Sequence, residues 1–177
     1  MKAAALAFVA CVGAACAGAG AGRGSEPDAM APFVGTFRGV LRMFGADVVR
    51  EVPMGLDVLP IPGSPGVWTF RLHYGEGDTA QVRDYRLRLD DERRGSYRID
   101  EQNGIVLAAR RCGDELVSVF AVEGTTLVSR YRAVGAGIEF SLESFDLTGA
   151  AATGNGVRTA TRFAVQRALL LPVAASR

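Results

Sequence analysis

The sequence predicts an all-β fold, a closed up-and-down antiparallel barrel of about ten strands. Three observations carry that expectation. From Phe33 to Leu171 apolar and polar residues alternate with the period of two that marks a half-buried strand. Turn-forming pairs interrupt the alternation at short, regular intervals. No segment shows the apolar spacing of an amphipathic helix over a helical length. The chain divides into a leader, residues 1–21; a flexible linker, 22–32; the barrel, 33–171; and a tail, 172–177.

The leader follows export grammar. Lys2 supplies the positive n-region, Ala3 to Ala15 form an apolar run, and Ala15-Cys16-Ala17, Ala17-Gly18-Ala19 and Ala19-Gly20-Ala21 offer small-residue cleavage sites. The run is too short for a stable membrane span. A second processing route is open. Gly13-Ala14-Ala15-Cys16 resembles a bacterial lipobox with Gly13 in place of the usual Leu, and lipidation of Cys16 would anchor the protein to a membrane without spanning it. Residues 22–32 then carry turn formers and no periodicity, as a linker does.

Ten strands are expected, at 34–44, 47–59, 66–74, 79–89, 95–100, 105–112, 115–122, 125–133, 138–144 and 157–169. Gly75-Glu76-Gly77-Asp78, Asn103-Gly104, Gly113-Asp114, Glu123-Gly124 and Gly135-Ala136-Gly137 connect them and tolerate the positive φ of tight hairpins. Hairpin after hairpin pairs each strand with its sequence neighbour. Such a meander either closes on itself or leaves two exposed edges, and closure avoids the edges.

Each strand sorts its residues onto two faces. Phe37, Leu41 and Met43 oppose Arg38 and Arg42; Val52, Met54 and Leu56 oppose Glu51 and Asp57. Trp68, Phe70, Leu72 and Tyr74 oppose Thr69, Arg71 and His73; Tyr85, Leu87 and Leu89 oppose Asp84, Arg86 and Arg88. Leu127, Ser129 and Tyr131 oppose Arg130 and Arg132, and Ile138, Phe140 and Leu142 oppose Glu139 and Glu143. A membrane barrel turns its apolar face outward. Short central strands, and a terminus without an aromatic last residue, favour the inverse arrangement, a soluble barrel with the greasy face inside.

Composition excludes several function classes. Lys2 is the only lysine, so a mature domain has none, and Schiff-base chemistry needs one. The 20 basic residues nearly balance 19 acidic ones, which leaves no basic stripe for nucleic acid. Cys112 is the one thiol outside the leader and cannot form an internal disulfide. The sequence has no nucleophile elbow, no phosphate-cradling glycine loop and no Cys/His pair at metal spacing. Neither a catalytic residue nor a metal ligand is assigned, and no cofactor is expected. A hydrolase would have to build on His73 with Asp84, and both belong to the charged face.

Val34-Gly35-Thr36-Phe37-Arg38-Gly39, opening a long meander, resembles the first strand of calycin-type barrels: lipocalins, fatty-acid-binding proteins and nitrobindin-like proteins. Those families usually carry Trp where Phe37 stands and Gly two residues earlier; nitrobindin-like members also keep a Gly at the position of Gly39. The resemblance implies a barrel that holds a ligand in its lumen. The haem site of the nitrobindin-like branch needs a late His and does not carry over, since His73 is the only histidine. The segment from Gly95 to Leu107 is similar to segments of exported bacterial proteins of unassigned function, which names no activity.

Polar residues in register with the apolar face are the candidate ligand contacts. Arg50, Arg83, Ser118, Ser129, Thr159, Thr161 and Arg167 share that phase, and Tyr74, Tyr85 and Tyr131 add hydroxyl tips. Arg83 and Tyr85 place a guanidinium and a phenol side by side on one strand face, where an anionic head or an internal hydrogen-bond network would satisfy them. Trp68 is either a lumen contact or a core plug near Phe37. The ligand-binding set read from the sequence is Arg50, Trp68, Tyr74, Arg83, Tyr85, Ser129 and Tyr131. The expected function is binding of a small hydrophobic or amphipathic partner in the lumen of an exported, periplasmic or cell-envelope barrel, with membrane contact only through a lipid at Cys16. The alternative is a filled barrel serving as an envelope scaffold, with the stiff Pro60-Ile61-Pro62-Gly63-Ser64-Pro65 loop as a contact surface.

Overall fold

A computed structural model describes residues 29–45, 49–146, 151–160 and 162–173. The leader, its cleavage sites, Cys16, Thr161 and the last four residues lie outside the described set. Ten strands form one closed antiparallel barrel: β1 (Gly35–Phe44), β2 (Val49–Val58), β3 (Val67–Tyr74), β4 (Gln81–Asp91), β5 (Ser96–Asp100), β6 (Val106–Cys112), β7 (Glu115–Val122), β8 (Thr125–Val134), β9 (Gly137–Asp146) and β12 (Arg162–Pro172). Each pairs with its sequence neighbour, and β12 closes the ring by pairing with β1. Two further strands, β10 (Ala151–Gly154) and β11 (Val157–Thr159), form a separate hairpin between β9 and β12.

Register carries one face around the whole ring. Phe37 faces Leu56, which faces Leu72, which faces Arg83. Leu87 continues to Ile99 and Leu107. Beyond these, Ala109 leads to Ser118, Ser129, Leu142 and Gln166. Because side chains alternate strictly along a strand, fixing one pair fixes which residues line the interior. The interior is apolar. The outer face carries ion pairs such as Arg42–Glu51 (2.8 Å), Arg71–Asp84 (3.1 Å), Arg88–Asp100 (3.1 Å) and Arg132–Glu139, the reverse of a lipid-facing barrel.

The two ends differ. At the end where β1 begins, a 3-10 turn over Ala31–Phe33 lays Met30 and Phe33 into the core, at 1% and 2% exposure. Below them Phe37, Val58, Trp68, Leu87, Tyr97, Leu116, Ile138 and Leu170 pack as a solid floor. Met30, inside the stretch read as linker, is thus part of the packed core. Trp68 belongs to this floor, 6.4 Å from the Tyr97 ring, with its backbone bridged to Pro60. Arg111 is half-buried, and its Nε has no hydrogen-bond partner among the described residues.

The last expected strand needs correction. Residues 157–169 were expected as one barrel strand; Val157–Thr159 instead pairs with Ala151–Gly154 across an Asn155-Gly156 turn, where both residues have positive φ (51° and 78°). Asn-Gly favours such a tight turn on conformational grounds. The barrel strand starts at Arg162, and its phase is the other one: Gln166, Ala168 and Leu170 pair with inward residues. Arg167 consequently points outward and is exposed, and Thr159 sits exposed on the hairpin. The run Ala168-Leu169-Leu170-Leu171 has no polar alternation from which a phase could be read.

Closure is tight at two glycines. A Cβ on Gly39 would lie 2.2 Å from the Leu169 carbonyl oxygen, and one on Gly137 would lie 2.8 Å from that of Leu170. Both flank β12, so its backbone passes between neighbours that have no side chain to spare. Gly39→Ala is expected to destabilise the barrel by about 1–3 kcal/mol in urea unfolding, as overpacking against backbone does. An unchanged unfolding midpoint would show that β1 and β12 do not approach this closely.

Candidate functional site

Above the floor the lumen is open. A cavity of about 950 Å³ fills the half of the barrel toward the end of β1, within the upper range of small-molecule sites, roughly 300–1,000 Å³. Leu41, Val52, Phe70, Leu72, Leu107 and Phe140 are among the side chains that make its walls apolar. Polar groups enter at Tyr74, Gln81, Arg83, Tyr85, Glu101, Ser129, Tyr131 and Gln166.

The strands place these groups at graded depth. Arg83 stands two residues nearer the mouth than Tyr85 on β4 and is exposed, while Tyr85 is half-buried. Arg83 Nη1 donates to the Tyr85 hydroxyl at 3.3 Å. No ion pair holds Arg83 among the described residues, so the guanidinium remains available to an acceptor at the mouth. Tyr131 lies deeper, 4% exposed, with Phe70 of β3 edge-on at 5.0 Å and Phe140 of β9 at 5.1 Å. Phe70 belongs to the opposite wall, so Tyr131 reaches across the lumen and forms the boundary between floor and cavity.

Burial controls the state of the phenols. It pushes the Tyr74 hydroxyl up to about 12, against the opposing influence of the nearby Arg83 charge, with Tyr85 reinforcing the rise. It raises Tyr131 well above the ordinary tyrosine value, with Tyr74 and Tyr85 adding to the effect. Both phenols are therefore neutral at physiological pH. The charges among the lining residues are those of Arg83 and Glu101.

Five of the seven residues read from the sequence as ligand contacts line this cavity: Tyr74, Arg83, Tyr85, Ser129 and Tyr131. Trp68 is in the floor. Arg50 pairs with inward Met43, but it stands at the exposed start of β2 and does not line the cavity. Ser118 faces inward and is used up in the wall, its Oγ donating to the Ala108 carbonyl at 2.7 Å. Sequence reasoning missed Gln81, Glu101 and Gln166. The first two sit at strand ends, where turn character masks the alternation, and Gln166 was hidden by the phase error in β12.

On the outer face His73 pairs with Asp57, not with Asp84 as a hydrolase-like set would need. Its Nε2 lies 2.7 Å from Asp57 Oδ2, and Arg38 Nη1 donates to Oδ1 at 2.6 Å. Asp84 is engaged by Arg71 and Arg86. Gly55 leaves room for this arrangement, since a Cβ there would meet the Arg38 side chain at 2.8 Å. Partial burial alone would raise the Asp57 carboxyl; the hydrogen bonds from Arg38 and His73 outweigh it and hold the group below the usual carboxylate range. This cluster pins β1, β2 and β3 together, and none of its three residues lines the lumen cavity. Comparison with protein-family models and with curated proteins gives no match to the chain.

The raised phenols have a consequence for alkaline stability. A tyrosine whose folded pKa is raised contributes stability that is complete below its unfolded value and lost as pH climbs through the folded one. For Tyr74 that window runs from 10.0 to about 12. Ultraviolet titration is expected to show Tyr74 and Tyr131 still protonated in the native protein at pH 10, with Tyr74→Phe and Tyr131→Phe each removing only late-ionising signal. Ionisation of Tyr74 near pH 10 in the folded state would contradict its burial.

Proposed function

We propose that the protein is an exported, calycin-like barrel that takes a small apolar or amphipathic molecule into its lumen and performs no catalysis. One observation carries the reading: a largely apolar space of about 950 Å³ opens at one end of a barrel whose other end is filled by core side chains. A filled scaffold has no need of that space, and dispersion contacts are forfeited wherever a lumen stays hollow. The polar groups fit an amphipathic occupant. Its chain would lie against Leu72, Leu107 and Phe140, and its head would meet Arg83 and Tyr85 at the mouth.

Other features support the same reading. A closed ten-stranded meander is compatible with a calycin-like fold, and the Val34–Gly39 segment forms its start as the resemblance implies. The Ala-rich leader supports export to the periplasm or cell envelope, and the charged outer face leaves a lipid on Cys16 as the one proposed membrane contact.

Titration with the fluorescent dye 1-anilinonaphthalene-8-sulfonate, which combines an aromatic body with an anionic head, tests the reading. Saturable binding at one site per chain is expected, weakened roughly tenfold by Arg83→Ala and less by Tyr85→Phe, the range for hydrogen bonds to a charged group. Absence of saturable binding by the dye and by medium-chain fatty acids would sink the proposal.

A further inference from the structure

Resting on the binding role above, we propose that the lumen holds a second, uncharged recognition point. Tyr131 and Ser129 form it, and it selects ligands bearing a hydroxyl or carbonyl oxygen part-way along the molecule, beyond the head held at Arg83.

The two residues stand two apart on β8, so their side chains share the inward face. Both are buried from bulk solvent, at 4% and 7% exposure, and both line the cavity. Among the described residues neither hydroxyl is bonded by another protein group, and neither atom is sealed off by protein, so both present surface to the cavity. Ser118, the direct cross-strand partner of Ser129, shows the contrast: its hydroxyl is satisfied by the Ala108 carbonyl. An occupant that displaces water from the cavity leaves these hydroxyls unbonded unless it brings an acceptor of its own, and an unbonded polar group cut off from water is costly. Here the open side of both hydroxyls is the cavity, and its occupant is the natural partner.

Geometry makes the pair selective. Phe70 and Phe140 clamp the Tyr131 ring from two sides, fixing where its hydroxyl points before any ligand arrives. Among the described residues no charged side chain but those of Arg83 and Glu101 lines the cavity, so a second charged group placed at Tyr131 would be desolvated without a counter-ion. A neutral oxygen accepts from the phenol and serine at no such cost. A plain alkyl chain leaves both hydroxyls unpaired, the asymmetry by which a polar site rejects an analogue lacking its partner.

Displacement of the bound dye by dodecanoate and by a series of hydroxydodecanoates, with the hydroxyl moved one carbon at a time, provides the test. Wild-type protein is expected to bind one isomer, or two adjacent ones, about 3- to 10-fold more tightly than dodecanoate. Tyr131→Phe keeps the ring and its packing and should erase that preference while dodecanoate binding is retained; Ser129→Ala should reduce it. Equal affinity for every isomer, or a preference that survives both substitutions, would overturn the second recognition point and leave the lumen-binding role standing. If neither dodecanoate nor any isomer binds, the broader role fails and this inference with it.

Discussion

A ten-stranded meander leaves two unpaired edges unless its first and last strands meet, and here they meet along their length. Phe37 to Phe44 pair in register with Pro172 to Val165. That seam is where the sequence spends its smallest residues, since Gly39 and Gly137 flank the Leu169–Leu170 backbone at distances no side chain could tolerate. Once the seam is fixed, strict alternation decides which side of every strand is inside, because slipping one pair by a residue would turn a whole apolar set to water. The interior, its cavity and the charged outer skin are all consequences of that register.

The same register leaves the two halves of the lumen unlike. Large side chains cluster where β1 begins, and Met30 and Phe33 fold in from the chain before it to complete a floor. Toward the other end the inward positions hold Ser129, Gln81, Gln166, aliphatics and the rings of Tyr74, Tyr85 and Phe120, and a space of about 950 Å³ remains among them. Tyr131 marks the change, packed below and open above. The outward Asp57–Arg38–His73 cluster and the other surface ion pairs tie neighbouring strands from outside. The exposed pairs among them, such as Arg42–Glu51, contribute little individually, about 0–1 kcal/mol, so the barrel depends on its core and its ladder more than on its surface charges.

Much of this was legible before any coordinates. Trp68-Thr69-Phe70-Arg71-Leu72-His73 or Leu127 to Arg132 can be read only one way as strands, and the glycine-bearing turns between them dictate hairpins. Tyr74, Arg83, Tyr85, Ser129 and Tyr131 were placed on the inner face from alternation alone. What failed did so for local reasons. Ala151-Ala152-Thr153 is too small and bland to announce a strand, which hid the extra hairpin; four apolar residues in a row at 168–171 gave no phase, which turned Arg167 inward on paper and concealed Gln166. Depth along the barrel was not legible either. Alternation says inward, but only the stagger of ten strands decides that Trp68 lands in the floor and Arg50 beyond the wall.

Filling the cavity on purpose discriminates most directly between a hollow, ligand-receiving lumen and every other arrangement. Leu127 lines the cavity and is half-buried, so Leu127→Trp places a large ring in the space a ligand would occupy. Calorimetric titration with dodecanoate should give one saturable site in the wild type and none in Leu127→Trp, with β-rich circular dichroism and melting retained by the variant. Undiminished binding by the filled barrel would place the ligand elsewhere on the molecule and contradict the lumen as its site.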